Sequence, residues 1–329
     1  MFGLKRNKIT LKKEIDTQQQ ETPTKQEHNI PQENNTKEKQ QKSKKTKTTE
    51  EQQKSKVILI TGASSGIGKA TALEVLREGH KVYALGRNID QMEDIEKLGG
   101  IPVRFDLTEP QKIKQVVSFI TDKEPIIDVL FNCAGRAFFA PIEQTPMEEV
   151  RNLFEVNFFG LTYLTQLLIP HFRTQEKGLI INVSAVEGSV YSPLRAWYQA
   201  TKHALEGWND TLRLELMDFK IKVVLLQPNF IQTNYTNQLL QVIYDHIPKD
   251  KRYIYDRFIK LTEKEIKDLK DPKFTLSPNR VGELVANIIS TDKPKKRYKI
   301  GRHSKYLSHV RNYLGDTFFD LYAMIRVED

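Results

Sequence analysis

Six short, almost continuously apolar runs constrain the fold of this chain more than any other feature. They are VILIT, KVYAL, IPVRF, IDVLF, GLIINVS and IKVVLLQ, at residues 57–61, 81–85, 101–105, 127–131, 178–184 and 221–227. Such runs are typical of strands buried on both faces, and the segments between them have helical spacing. Strands that alternate with helices predict an α/β fold with a doubly wound parallel sheet in a single domain.

The first 55 residues differ from the rest in composition. They are rich in Gln, Lys, Thr and Glu, and residues 1–56 carry six of the nine net positive charges of the chain. A segment of this kind buries too little apolar surface to offset its chain entropy, so we expect a disordered tail. Its lysines between Lys42 and Lys47 fit a solvated tail or contact with a polyanionic surface, although we expect no nucleic-acid partner.

Cysteine content and hydropathy limit the cellular compartments in which we expect this protein. The chain has one cysteine, Cys133, and no run of 18 apolar residues. One cysteine permits no intrachain disulfide and is typical of a reducing compartment, and the basic N-terminus has no apolar stretch of a secretory signal behind it. We therefore expect a cytoplasmic protein without a transmembrane helix, with a mitochondrial or peripheral membrane location as the alternatives.

A glycine-rich turn follows the first apolar run. The segment TGASSGIGKATALEVLREG places Gly62, Gly66 and Gly68 between a strand and an amphipathic helix that stops at Gly79. Glycines at such a turn let backbone N–H groups approach a pyrophosphate, and the helix N-terminus adds partial positive charge. This context favours a Rossmann-type dinucleotide site over a purely structural turn.

The end of the second run predicts which dinucleotide binds. It reads ALGRN, with Arg87 and no acidic residue. An Asp or Glu here accepts hydrogen bonds from the ribose hydroxyls of NAD, whereas an arginine neutralises the 2′-phosphate of NADP. The sequence therefore predicts NADP(H), and the alternative is that Arg87 is a solvated loop charge.

Five motifs carry a family resemblance. They are TGASSGIG at 61–68, FNCAG at 131–135, VNFFG at 156–160, YQATK at 198–202 and QPNFIQT at 227–233. In order and spacing they resemble those of the classical short-chain dehydrogenases/reductases, over about residues 56–300. The resemblance implies a nicotinamide-dependent oxidoreductase that self-associates as a homodimer or homotetramer.

The resemblance also implies cofactor contacts on several loops. Asp106 matches the carboxylate that contacts the adenine amino group, and Thr233 matches a residue that binds the carboxamide or the phosphates. Two positions depart mildly from the family pattern, since Cys133 replaces an Asn and Asn229 replaces a Gly. The implied contacts are Gly62, Ser64, Ser65, Gly66, Ile67, Gly68, Arg87, Asp106, Asn132, Ala134, Gly135, Tyr198, Lys202, Pro228 and Thr233.

Tyr198 and Lys202 are the candidate catalytic pair. They are four residues apart, which places both side chains on one face of a helix. A phenol titrates near pH ~10, and an adjacent ammonium favours the phenolate, so the pair suits proton transfer. The resemblance makes Tyr198 the acid/base, Lys202 its activator and ribose anchor, and Asn157 the residue that helps to keep a water beside Lys202.

One catalytic position breaks the family pattern. The family places its catalytic serine second in the pair of N-V-S-S-V-x-G, and that position is Ala185 here. Ser184 lies one place early, and neighbouring side chains of a strand point to opposite faces, so we expect Ser184 to face away unless the strand is broken or bulged. Ser184 is the first candidate for the missing donor, with Ser189 and Ser192 as alternatives on the loop.

Two apolar stretches follow the last run. Residues 230–258 are rich in aromatic and aliphatic side chains, which predict a helical substrate cap at about 230–275 or simply the core of such a cap. The segment 303–329 has helical apolar spacing, which favours packing on the domain over a membrane surface or a subunit partner. The expected organisation is thus a tail at 1–55, a Rossmann-type domain at 56–302 and this C-terminal segment.

Together the patterns predict an NADPH-dependent carbonyl reductase or alcohol dehydrogenase. Its partner is expected to be a lipophilic aldehyde, ketone or alcohol, because the predicted cap is apolar. Peripheral membrane contact is also compatible with the sequence, whereas the histidines show no metal-ligand spacing and predict no metal site. The missing serine leaves one alternative, a weakly active or inactive NADP-binding protein with a structural or regulatory role.

Overall fold

The computed structural model describes residues 55–229, 231–232, 236–269, 271, 275–301, 311, 313–321 and 323. The chain divides into two units, Met1–Gln52 and Gln53–Asp329, and all described residues belong to the second. The predicted tail therefore lies outside the described residues, apart from Ser55, and so does Thr233.

Within the described residues, the strands form a seven-stranded parallel sheet. They are β1 (Val57–Thr61), β2 (Lys81–Gly86), β3 (Ile101–Arg104), β4 (Val129–Asn132), β5 (Gly178–Val183), β6 (Ile221–Pro228) and β7 (Arg297–Ile300). Their order is β3-β2-β1-β4-β5-β6-β7, and every neighbouring pair is parallel. The predicted doubly wound α/β fold is confirmed.

Two details differ from the sequence prediction. The fourth run was expected to begin at Ile127, but the strand starts at Val129. The backbone N–H and carbonyl of Ile127 are hydrogen-bonded to the side-chain amide of Gln175 and not to a neighbouring strand. The edge strand β7 was not predicted. It is only four residues long and its first three residues are half-buried, so no apolar run marks it.

Helices cover both faces of the sheet. They are α1 (Gly66–Arg77), α2 (Glu93–Lys97), α3 (Pro110–Lys123), α4 (Met147–Phe154), α5 (Gly160–Thr174), α6 (Ala196–Glu215), α7 (Thr236–His246), α8 (Asp256–Asp268) and α9 (Pro278–Ser290). Alternation along β1 shows the two cores, since Ile58 and Ile60 pack with α1 and α9 whereas Leu59 packs with α3, α5 and α6. The result is a three-layer structure.

The strand order positions the site. β1 lies between β2 and β4, so the direction in which the sheet grows reverses at β1. In open α/β sheets, ligands bind at such a switch point, beyond the carboxyl ends of the strands. The loops after β1, β4 and β5 meet at this edge.

We call residues 236–268, which comprise α7, α8 and the turn between them, the lid. Its buried apolar side chains share a cluster with Phe139 and Leu194, which lie on loops at the carboxyl edge of the sheet. The lid is therefore packed onto the edge where the site is expected. The cluster members from the lid are Leu239, Ile243, Ile247, Ile259 and Ile266.

Part of the C-terminal segment also packs on the domain. Residue 311 and residues 313–321 are helical, and Phe319 is buried against Tyr191 in the loop after β5. The Tyr191 hydroxyl donates to Asp320 over 2.7 Å, and Arg311 donates to the Ser189 carbonyl over 2.9 Å. Among the described residues, no helix combines the length and apolar character needed to cross a bilayer.

Candidate active site

The glycine turn after β1 is closed to side chains. Gly62 has a φ of +69°, and a Cβ there would lie 2.8 Å from the Ala134 Cα. A Cβ on Gly68 would lie 2.4 Å from the Gly62 carbonyl oxygen. Only glycine permits this close backbone approach, which leaves the N-terminus of α1 open at Ser65, a residue without a side-chain capping bond in the structure.

A cleft of about 1050 Å³ runs along the carboxyl edge from this turn to the lid. It brings together most of the residues selected from the sequence. The predicted residues that line it are Gly62, Ser64, Ser65, Gly66, Ile67, Gly68, Arg87, Asp106, Ala134, Gly135, Ser184, Tyr198, Lys202 and Pro228.

Two loop residues mark the far end of the cleft beyond β2 and β3. Arg87 is exposed directly after β2. Asp106 is held by Thr108, whose backbone N–H and hydroxyl both donate to the same carboxylate oxygen over 2.9 Å. The second oxygen of Asp106 is thereby left for a ligand that offers a donor.

Asn132 lies beneath the cleft and does not line it. Its amide donates to the Thr165 hydroxyl over 2.9 Å and to the Asn182 side chain over 2.8 Å. The next two residues are fixed from β1, because the Cys133 and Ala134 N–H groups donate to the Thr61 hydroxyl, each over 3.0 Å. Asn132 thus joins β4 to β5 and α5, which differs from the cofactor contact expected for it.

Asn157 fixes the loop after β4 from a π-helical turn, Glu155–Phe159, between α4 and α5. Its amide oxygen accepts from the Arg136 N–H over 2.8 Å. Its amide nitrogen donates to the Arg136 carbonyl over 2.8 Å and to the Thr201 hydroxyl over 3.1 Å. π turns are often found at functional sites. Here the turn ties the loop at Gly135 and Arg136 to α6.

Tyr198 and Lys202 both line the cleft from the first turns of α6. The Lys202 amine donates to the Val183 carbonyl over 2.9 Å and lies 5.8 Å from the centre of the Tyr198 ring. Burial lowers the pKa of Lys202 to about 8. The amine therefore still carries its proton at neutral pH, close to the phenol.

Ser184 and Ala185 directly follow β5, and Ala185 has an extended backbone. The Ser184 N–H continues the ladder by donating to the Leu226 carbonyl over 2.8 Å. Its hydroxyl is buried and has no hydrogen-bond partner within the described part of the chain, and it points toward Gly188, where an added Cβ would lie 2.7 Å from it. Ala185 lines the cleft and offers only a methyl group.

Three charged residues in the cleft were not selected from the sequence. Arg195, three residues before Tyr198, lies between Glu187 of the turn after β5 and Glu265 of the lid helix α8. All three line the cleft, and the side chains of Arg195 and Glu265 are only 8% and 7% exposed. The position of Arg195 three residues before Tyr198 could have drawn attention to it, but nothing in the sequence marked its burial or its carboxylate partners.

Comparison with known proteins shows which family the chain belongs to. The sequence matches the family model described as short chain dehydrogenase over residues 56–242. A "Probable short-chain type dehydrogenase/reductase" of Helicobacter pylori is 33% identical over 264 residues, which cover 80% of this chain and 94% of the relative. The chain belongs to the short-chain dehydrogenase family.

Two further comparisons agree with this family assignment. A 3-ketodihydrosphingosine reductase of Bacteroides thetaiotaomicron is 33% identical over 247 residues, covering 74% of this chain and 87% of that protein. The crystal structure of a short-chain dehydrogenase from Streptomyces avermitilis superposes with a TM-score of 0.67 at 25% identity, covering 82% of this chain and 97% of the other. The resemblance drawn from the five motifs is confirmed, and the chain is an oxidoreductase of the dehydrogenase/reductase type.

Proposed function

We propose that this short-chain dehydrogenase is an NADP(H)-dependent carbonyl reductase or alcohol dehydrogenase for a lipophilic aldehyde, ketone or alcohol. The observation that carries the proposal is the placement of Tyr198 and Lys202 on one face of α6, in the same cleft as the glycine turn. A proton donor and a nucleotide-sized groove in one cleft are what hydride transfer to a carbonyl needs.

The cleft fits a dinucleotide that carries a 2′-phosphate. Gly62 and Gly68 keep the turn at the start of α1 free of side chains, so its N–H groups would hold the phosphates. Arg87 would neutralise the 2′-phosphate, since the strand end has this arginine in place of the carboxylate that would repel the phosphate. Asp106 would accept from the adenine amino group. When bound, the nicotinamide supplies or accepts the hydride.

The chain itself handles the proton at the substrate oxygen. Tyr198 gives its phenolic proton to the oxygen during reduction and takes it back during oxidation. The Lys202 ammonium favours the phenolate that remains, and the Val183 carbonyl holds that amine in place. Asn157 supports the arrangement by fixing the loop beside Lys202; its part in retaining a water there remains a prediction.

Ala185 is the weak point of this mechanism. A preorganised donor to a reacting oxygen is typically worth ~10²–10³ in rate. Ser184 is the nearest hydroxyl in sequence, but it points toward Gly188. We therefore propose an enzyme that is slower than it would be with a serine at 185. The presence of Ala185 is also compatible with the alternative, an NADP-binding protein without significant turnover.

The lid supports a lipophilic substrate. Leu239 and Ile266 of the lid line the cleft, together with Leu269 directly after it and Phe139 from the opposite loop. An apolar wall at the substrate end favours a hydrocarbon-bearing carbonyl compound. The relative named as a 3-ketodihydrosphingosine reductase makes a long-chain ketone the first substrate to test.

The decisive experiment follows NADPH oxidation with a series of aldehydes and ketones of increasing chain length. We expect turnover that improves with chain length, and a rate about 10²–10³ higher for Ala185→Ser. Ser184→Ala is measured beside it, because Ser184 lines the cleft and is the other candidate donor: unchanged turnover would exclude its hydroxyl, and a loss of similar size would assign the donor role to Ser184. No turnover by the native protein or by Ala185→Ser, despite NADPH binding, would favour the non-catalytic alternative.

Assembly and location complete the proposal. We propose a cytoplasmic homodimer or homotetramer, in keeping with the family resemblance, and sedimentation velocity of the full chain tests it. A monomer at micromolar concentration would contradict the assembly. Peripheral membrane contact is supported by four exposed apolar residues of the C-terminal helix, which are Tyr313, Leu314, Phe318 and Leu321. Flotation with lipid vesicles tests this contact.

A further inference from the structure

The carboxylates and guanidinium at the substrate end form a buried cluster with Arg195 at its centre. One guanidinium nitrogen bonds to Glu265 and another lies 3.4 Å from Glu187. Glu187 belongs to the turn that follows Ala185, whereas Glu265 belongs to α8. The cluster therefore joins the lid to the segment that carries the catalytic residues.

The pairing adds buried charge to a contact between the lid and the domain that is otherwise made mainly of apolar side chains, with a further hydrogen bond from Tyr255 to Glu143. Isolated charges are costly to bury, and removing one partner of a buried pair typically destabilises it strongly, because the other charge is left without compensation. Burial alone would lower the pKa of Arg195, but the charges of Glu265, Glu187 and Tyr198 raise it above its ordinary value. Arg195 thus stays a cation throughout the working pH range and holds both carboxylates.

The backbone at this point is fixed on both sides. Leu194 adopts a left-handed conformation with a φ of +64°, which non-glycine residues rarely do. Its carbonyl accepts from the Ala140 N–H over 2.8 Å, and its side chain is buried in the lid cluster. Arg195 follows directly and is the N-cap of α6, so its position sets where α6 begins.

A chain of ring contacts links Arg195 to Tyr198. The guanidinium carbon lies 4.6 Å from the centre of the Phe139 ring, and the edge of that ring packs against Tyr198 at a centroid distance of 6.2 Å. A cation over an aromatic face is attracted to the ring quadrupole. Phe139 is therefore held between the cluster and the catalytic tyrosine.

We propose that Arg195 is a positioning residue, which ties the lid helix α8 to the start of α6 through Glu265 and thereby holds Tyr198 in its catalytic position. The inference rests on the proposed function for its catalytic consequence. Its structural part, the tie between lid and catalytic helix, stands without it. Arg195 acts through Phe139 and the start of α6 and transfers no proton itself.

A double-mutant cycle with Arg195→Gln and Glu265→Gln tests the tie. We expect each single change to lower kcat by about 10- to 100-fold, as misplacement of a catalytic group does, with little change in NADPH affinity. The double change should cost no more than the larger single one, because both remove the same contact. Arg195→Lys should recover part of kcat, since it keeps the charge.

Hydrogen exchange gives a readout that does not depend on turnover. Amide exchange in residues 256–268 should become faster in Arg195→Gln and Glu265→Gln. Glu263→Gln is the matched control, because Glu263 lies on the same helix but bonds to Tyr244 within the lid. Thermal unfolding of every variant, including the double variant in which Glu187 is the one charge of the cluster that is kept, shows whether the fold is retained.

The outcomes separate the two proposals. If the native protein turns over no carbonyl, the proposed function fails, but faster exchange in α8 would still support the tie. Unchanged exchange in α8 together with unchanged kcat for Glu265→Gln would overturn the inference. Equal effects from Glu263→Gln, or strictly additive effects of the two changes, would overturn it as well.

Discussion

The two ends of the cleft are built in different ways. At the cofactor end, Gly62 and Gly68 shape the site with backbone alone, and they lie six residues apart in the chain. At the substrate end, Glu187, Arg195 and Glu265 shape it with buried side-chain charges from separated segments. A site made of backbone is encoded locally and tolerates no added atoms, whereas a site made of paired charges depends on tertiary packing.

The largest effect is expected where a side chain is added to the backbone-built end. Gly68→Ala would place a Cβ 2.4 Å from the Gly62 carbonyl oxygen. We expect a loss of about 1–3 kcal/mol in the free energy of unfolding and loss of NADPH binding, measured by urea unfolding and by NADPH fluorescence. Gly207→Ala is the control, because nothing lies within 4 Å of its Cβ, and this helix position should gain about 0.5–1 kcal/mol. Normal NADPH binding by Gly68→Ala would contradict the role of the turn.

The next largest effect is expected between the two ends, at Tyr198, the proposed acid/base. Tyr198→Phe removes the proton donor and should lower turnover by about 10²–10⁴, the usual contribution of general acid catalysis. NADPH affinity should stay unchanged, since the cofactor end is intact. Tyr191→Phe is the control, because its hydroxyl bonds to Asp320 outside the cleft. Equal rates for native and Tyr198→Phe enzyme would exclude the proposed mechanism.

A smaller effect is expected at Arg87, the charge that we propose selects the cofactor. Arg87→Leu should lower the preference for NADPH over NADH by about 10-fold or more, because one charge-assisted hydrogen bond to the 2′-phosphate is lost. The dissociation constants of both cofactors provide the measurement. Arg104→Leu, a change at an exposed residue that ends β3, should leave the preference as it is. Similar affinities of the native protein for the two cofactors would rule out this role for Arg87.

The smallest expected effect, at the substrate end, is a shift in the pH at which turnover declines. Because the pKa of Lys202 is about 8, its ammonium is present below that pH and is lost as the pH rises through it, so turnover should decline there. Burial lowers the pKa of Lys202, and the Glu187 carboxylate partly opposes this lowering. Glu187→Gln should therefore move the decline to lower pH, by roughly one unit at most.

A pH profile of kcat/KM checks this shift, with Glu149→Gln as the control. Glu149 pairs with Arg136 on the opposite loop, so its removal should leave the decline near pH 8. A profile for Glu187→Gln identical to that of the native enzyme would show that this carboxylate does not act on Lys202.

Sequence patterns predicted the sheet and the backbone-built end because both are local. The apolar runs gave β1 in its observed bounds, and the spacing of Gly62 and Gly68 predicted the turn. The same reasoning missed the tie to Glu265, which lies 70 residues beyond Arg195 and reaches it only when the lid packs. It did not reveal the bonds of Asn132 to Thr165 and Asn182 either, because a strand-end amide does not show which neighbouring element it will bond to; the cofactor contact of Asn132 stays a prediction.

Cys133 gives the molecule a practical property. It is the only cysteine of the chain, and burial raises the pKa of its thiol to about 12. Cys133 is partly buried and lines the cleft, so reagents that attack thiolates should label it more slowly than an exposed thiol near neutral pH. A cysteine placed at Ile254, which is 49% exposed in the turn of the lid, would be the faster-reacting of two thiols, so one dye could be attached to the lid without any other change to the chain.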